Sequence, residues 1–149
     1  EGEEEEEAAG ETRTFVMEGR VHEEEVIVFA DDFDGRGRIS DLSIAKMFER
    51  NRNIALGGPA GLNRLKEEGF LVVVTHFNDF SIHDEIPCEV GDTVRVRSTC
   101  QLRKSKFSFF QEVVAASGET KAKARITCLC IDAESKKLRA PPEWVTSQL

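Results

Sequence analysis

The chain has 149 residues and no apolar run approaching the roughly 20 residues that a membrane-spanning helix requires. Its start is acidic and holds no apolar segment, so no secretory signal is expected. It begins without Met, as a processed chain or a fragment would. No Cys-x-x-Cys pair occurs among its four cysteines, Cys88, Cys100, Cys128 and Cys130. Cys128 and Cys130 are two apart in a strand-like run, so they share a face and cannot easily bridge each other. All four are expected as small core residues in a reducing compartment, with no metal site. No Ser-His-Asp constellation and no Gly-x-Ser-x-Gly elbow is present, which removes the common serine-hydrolase layout. There is no internal repeat. A basic field is also missing. The net charge is −8, and residues 1–25, with eleven acids and two arginines, account for −9 of it. The remaining seventeen acids and eighteen bases leave 26–149 nearly neutral, so no nucleic-acid partner is expected.

The composition that remains, 40% hydrophobic and 32% charged, is that of one globular domain. The run 1–13 is too acidic and too poor in apolar residues to fold, so it reads as a disordered tail, with a single domain over 14–149. A leading strand is expected over 14–21 and a better one, rich in β-branched residues, over 25–30. From about 41 to 56 the period becomes helical: Ile44, Met47, Phe48, Asn51 and Ala55 share a face. Gly57, Gly58 and Pro59 stop that helix, and a shorter helix is expected over 61–68. The rest reads as strands over 70–80, 93–102, 107–116 and 120–132, joined by a loop at 81–92, a basic turn at 103–106 and a hairpin turn at 117–119. Ala140, Pro141 and Pro142 are expected to end the fold, with Trp144 anchoring the last segment. Short connections favour antiparallel pairing. One helix stripe and one sheet face bury each other most simply if the sheet wraps the helix, in an α+β domain.

The stretch between strand and helix concentrates the chemistry. Asp32 and Asp34 precede a turn with Gly35 and Gly37, and Ser40 caps the helix. An acid beside a helix N-terminus can act as base or nucleophile, while the free N–H groups hold an oxyanion. Two other readings compete. Acids before helices commonly serve as turn and cap residues, which fits Asp32 and Ser40 better than Asp34. The run from Asp32 also resembles a calcium-binding EF-hand loop, with acids at loop positions one and three and Gly37 at six. That reading meets Arg36 where an oxygen ligand belongs and Ser43 where a bidentate carboxylate belongs.

The element order and local motifs resemble the hotdog-fold thioesterases, in particular the 4-hydroxybenzoyl-CoA thioesterase-like branch. The motifs span about 25–145. They are Asp32-x-Asp34-x-x-Gly37-x-Ile39-Ser40-Asp41, the Phe48-Glu49 and Arg52 of the helix, Gly69-Phe70, Asp79-Phe80, Gly91-Asp92 and Phe107-x-Phe109. The resemblance implies a hotdog fold, a long central helix wrapped by an antiparallel sheet of about five strands. It implies hydrolysis of acyl-CoA or acyl-carrier-protein thioesters, in lipid metabolism, with no cofactor. Asp34 would be the nucleophile or general base, the Asp41 amide would bind the carbonyl oxygen, and Arg52 would lie near the site. Gly37 would contact substrate. The family's Asn-Asn pair is here Ser40-Asp41, which adds a carboxylate; if it points to solvent, only its N–H matters. Arg103, Lys104 and Lys106 are candidates for holding the phosphates of the pantetheine donor. A homodimer or dimer of dimers and an intracellular, cytoplasmic or organellar setting are further implications. His22, His76 and His83 match no catalytic position. A non-catalytic acyl-thioester-binding module and a calcium-binding protein stand as alternatives.

Overall fold

The structure is a computed structural model, and it describes residues 19–149. The expected acidic tail, and all but the last three residues of the expected leading strand, lie outside the described residues. Strand β1 is His22–Ile27. The apolar run does not stay extended to Ala30, because Ala30–Asp32 tightens into a 3-10 turn. Helix α1 (Asp41–Ala55) and helix α2 (Gly58–Glu67) follow. Four strands come next: β2 (Phe70–Ile82), β3 (Thr93–Arg103), β4 (Lys106–Val114) and β5 (Thr120–Asp132). The chain does not end its fold at Pro142. A short helix α3 (Glu143–Thr146) starts there and drives Val145 fully into the core. Trp144 lies on the outside of that anchor, its Nε1 donating to Glu68 Oε1 at 3.0 Å.

The five strands form one antiparallel sheet in the order β1-β3-β4-β5-β2. Helix α1 packs on one face, and the strand period explains which. Val94 and Val96, then Phe107, Phe109 and Val113, then Ala122, Ala124, Ile126 and Cys128 alternate inward and are all buried. They meet Ile44, Met47, Phe48 and Ala55 of α1. Phe48 is completely buried, and a Phe→Ala change at such a site typically costs about 3–5 kcal/mol. Ser40 sets the start of α1, its Oγ accepting from Ser43 N at 3.1 Å. Gly57, at φ 103°, turns the chain out of the helix. Gly61 then lets α2 approach, since an added Cβ would collide with the Leu56 carbonyl.

The loop between β2 and β3 is tied down by Lys121. This residue belongs to β5, yet it is buried, because its ammonium donates to His83 O at 3.0 Å and to Ile86 O at 2.7 Å. Lys121→Met leaves the Ile86 carbonyl without this donor and the His83 carbonyl with Ile86 N alone. We expect a loss of about 1–3 kcal/mol in denaturant unfolding; an unchanged midpoint and slope would show that the clamp carries no stability.

Candidate functional site

The Asp34 turn is built by short-range chemistry. Phe33 and Ile39 pair as an antiparallel bridge, and Ile39 is buried. Between them Asp34 N donates to Arg38 O at 2.7 Å and Gly37 N to Asp34 O at 3.0 Å. This is the bond pattern of a tight turn closed by a left-handed residue, and Gly37 supplies it with φ 77°. Asp34 Oδ1 accepts from Arg36 N at 2.8 Å and Arg38 N at 3.0 Å. The capping role assigned by sequence to Asp32 and Ser40 therefore extends to Asp34. Asp32 serves the preceding turn, its Oδ2 accepting from Phe29 N at 2.8 Å. One carboxylate oxygen of Asp34 is thus fixed by backbone, while Oδ2 keeps only a loose ion pair to Arg38 Nε at 3.8 Å. These backbone bonds, with Arg38 and Arg36 nearby, hold the Asp34 carboxyl below the usual carboxylate range.

This turn leads straight into the N-terminus of α1. Ser40 occupies the amide of Ser43, and the Ser40 carbonyl accepts from Ile44 N at 3.1 Å. The amides of Asp41 and Leu42 have no hydrogen-bond partner among the described residues. Asp34, Arg38, Ile39, Asp41, Phe80, Ile82 and Asp84 line a recess of about 260 Å³. The Asp41 side chain is exposed, but it borders this recess, so the carboxylate expected from the Ser40-Asp41 departure is present there. Arg38 offsets the acids, with Nη1 3.1 Å from Asp84 Oδ2. Arg38 and Asp84 did not stand out in the sequence, because only the fold brings the β2–β3 loop to the turn. Asp32 and Asp34 face different turns after a strand and a 3-10 turn, so the segment lacks the helix–loop–helix frame of an EF-hand.

Arg52 lies elsewhere. Eleven residues of helix separate it from Asp41, about 16 Å along the axis. It is 7% exposed, and its Nη1 donates to Gln111 Oε1 at 2.9 Å. Gln111 Nε2 donates to Phe48 O at 3.0 Å and to Asn51 Oδ1 at 3.3 Å, and Asn51 Nδ2 reaches Val96 O at 3.3 Å. Arg52 borders a groove of about 480 Å³ between the C-terminal half of α1, α2 and the start of β2. Its walls include Leu56, Leu65, Phe70, Val72, Phe109 and Cys128. Phe48 is core, while Phe77 and Phe80 form an edge-to-face pair, with centroids 5.2 Å apart, near the far end of β2.

Arg103, Lys104 and Lys106 sit in the tight β3–β4 hairpin, where Lys104 takes φ 59°. Cys130 N donates to Ser105 O and Cys130 O accepts from Arg139 N, so residues 136–139, with Lys136 and Lys137, run beside this hairpin. The hairpin is far from Asp34 within one chain. Lys106 pairs with Leu129 of β5, whereas Ile82, beside Asp34, pairs with Ala122. Seven strand residues span about 24 Å. The chain alone therefore brings Asp34, Gly37 and Asp41 together, and leaves Arg52 and the basic hairpin at the other end of the sheet.

Strand β2 is a sheet edge of 13 residues, and Leu71, Val74 and Phe77 on it are 41%, 51% and 39% exposed. Long, apolar, unpaired edges invite pairing with another strand.

Comparison with sequences finds no match among protein-family models or curated proteins. Comparison with solved structures does. The chain is similar to Slr0204, a 1,4-dihydroxy-2-naphthoyl-CoA thioesterase from Synechocystis, at 21% identity and a TM-score of 0.75, covering 87% of this chain and 95% of that one. It is similar to SAV2348 of Staphylococcus aureus, solved in complex with CoA, at 13% identity and a TM-score of 0.76, covering 89% and 84%. YbaW, a probable thioesterase from Escherichia coli, follows the same path at 19% identity and a TM-score of 0.70, covering 85% and 95%. At these identities the likeness establishes the path of the chain.

Proposed function

Starting from a chain with the hotdog fold of these thioesterases, we propose that it hydrolyses acyl thioesters of CoA or of an acyl carrier protein, at a site completed by a second copy. The observation that carries this reading is the juxtaposition of the Asp34 carboxylate with the unpartnered amides of Asp41 and Leu42. The thioester carbonyl oxygen lies on those amides, at the positive end of α1. Asp34 Oδ2 attacks the carbonyl carbon. Collapse of the tetrahedral intermediate expels the thiolate and leaves an acyl–aspartyl anhydride. Water then attacks that anhydride, releasing the free acid and the Asp34 carboxylate. Gly37 keeps the turn narrow where the substrate passes. The Asp41 side chain stays outside the oxyanion position, and only its N–H acts.

Nucleophilic attack suits Asp34 better than general-base catalysis. A base works best with a pKa near the operating pH, and Asp34 is held in the opposite direction. The sign follows directly: a lowered pKa keeps the group ionised as pH falls. We expect kcat/KM for an acyl-CoA to stay flat from pH 7 down to about 4, below which the free carboxylate would ordinarily titrate. An acidic limb centred near 6 or above would instead identify a general base of raised pKa.

The second copy is proposed because one chain leaves Asp34 far from the basic hairpin. The reading pairs the β2 edges of two copies antiparallel near the middle of the strand, which would bring the 70–72 end of one towards the 80–82 end of the other. The Asp34 recess of one copy then adjoins the apolar groove of the other, and the basic hairpin of that other copy comes within reach of the donor. Arg103, Lys104 and Lys106 hold the donor's phosphates, supported by the neighbouring Lys136 and Lys137.

A further inference from the structure

We propose that Arg52 receives an anionic group at the far end of the acyl chain, so that the preferred substrates are ω-carboxyacyl thioesters rather than methyl-terminated ones. This rests on the thioesterase reading above, and it assigns Arg52 to recognition instead of to the reacting carbonyl.

The groove carries the argument. Its walls are apolar on three sides: Leu56 just past the end of α1, Leu65 from α2, and Phe70, Val72, Phe109 and Cys128 from the sheet. Glu49, Asn53, Lys66 and Lys136 also border it, and none of these is buried. Arg52 is the buried charge in the wall. A guanidinium has five N–H donors, and among the described residues a single hydrogen bond is made, to the neutral amide of Gln111. No carboxylate lies within 4 Å of Arg52 among the described residues. Burial works against its charge, and the neighbouring Cys128 and Glu49 offset that only in part. The Gln111 amide is itself locked by Phe48 O and Asn51, so the guanidinium is held in a fixed orientation. A fixed, under-paired fork in an apolar groove matches the planar, bidentate geometry of a carboxylate. A methyl terminus would instead leave those donors dry and unpaired, which is the arrangement that discriminates most strongly between ligands.

The groove is also placed for it. On the proposed pairing of β2 edges, the partner's Asp34 recess, walled by Phe80 and Ile82, would adjoin the groove walled by Phe70 and Val72. The thioester then reacts at the recess, and the acyl chain runs along Val72 and Phe70 towards the cation.

The test compares adipoyl-CoA with hexanoyl-CoA, equal in chain length and different only at the terminus. For the wild-type protein we expect kcat/KM at least about tenfold higher for adipoyl-CoA, the effect of one charge-assisted bond at 1.4 kcal/mol per decade. Arg52→Gln should reverse the ratio, and Arg52→Lys should keep part of it. Equal or lower kcat/KM for adipoyl-CoA in the wild type overturns the proposal without any variant. Affinities of both compounds for Asp34→Asn protein, measured by calorimetry, separate the two claims. Failure of the wild type to hydrolyse either compound, with tighter binding of adipoyl-CoA, removes the enzyme reading and leaves the anion site standing. Hydrolysis with no terminal preference in rate or binding removes the anion site and leaves the enzyme.

Discussion

A His76→Lys/Phe77→Lys double variant is expected to be a folded monomer that has lost at least about a hundredfold in kcat/KM. Both positions lie in the middle of β2 and line neither the Asp34 recess nor the Arg52 groove, although Phe77 packs on Phe80 of the recess wall. Across a two-fold near His76 the new lysines of two copies would face one another, and like charges opposite each other in a sheet are unfavourable. His76 and Phe77 are exposed in the single chain, so the fold itself loses little. On the proposed dimer the loss of activity would come from separation, since each chain would retain its own Asp34 and its own groove but as halves of different sites. Sedimentation velocity should show the halved mass, and circular dichroism an unchanged fold. Full activity in a monomeric variant would place the whole site in one chain.

The second large effect is Asp34→Asn. The amide oxygen of Asn can still accept from Arg36 N and Arg38 N, so the turn should survive. The nucleophilic oxygen does not. We expect thioester hydrolysis to fall by about 10²–10⁴-fold, with the melting temperature nearly unchanged. Asp34→Ala is the less informative change, because it removes the turn's acceptor together with the chemistry. Retained hydrolysis in Asp34→Asn would assign the aspartate to the turn alone.

These expectations mark how far the sequence could be read. The helical period of α1 named its buried face correctly, since Ile44, Met47, Phe48, Asn51 and Ala55 are all buried. Boundaries were less legible. β1 gives way at Val28 because Ala30–Asp32 tightens around the Asp32 carboxylate, a local bond with no periodic signal. The fold continues past Pro142 because Pro also suits the start of a helix, and Val145 is then buried. Arg52 was a candidate by resemblance alone, although it lies four residues after Phe48 on the same buried face. An arginine at an inward position was the available signal. Gln111 was missed, yet it interrupts the inward series Phe107, Phe109, Val113, and a polar side chain there demands partners. Lys121 gave no such signal, since its burial comes from a loop more than thirty residues away in sequence. The groove and the distance between Asp34 and the basic hairpin could not be read at all. Both arise from packing and register, where side chains far apart in sequence meet or fail to meet.

The decisive measurement is the release of free CoA thiol by the wild-type chain from a panel of aliphatic, aromatic and ω-carboxyacyl CoA thioesters, with Asp34→Asn as control. The account predicts catalytic release from at least one member of the panel by the wild type, and release lower by about 10²–10⁴-fold by Asp34→Asn. Binding of those thioesters without release by the wild type would contradict it and make the chain a non-catalytic binding module.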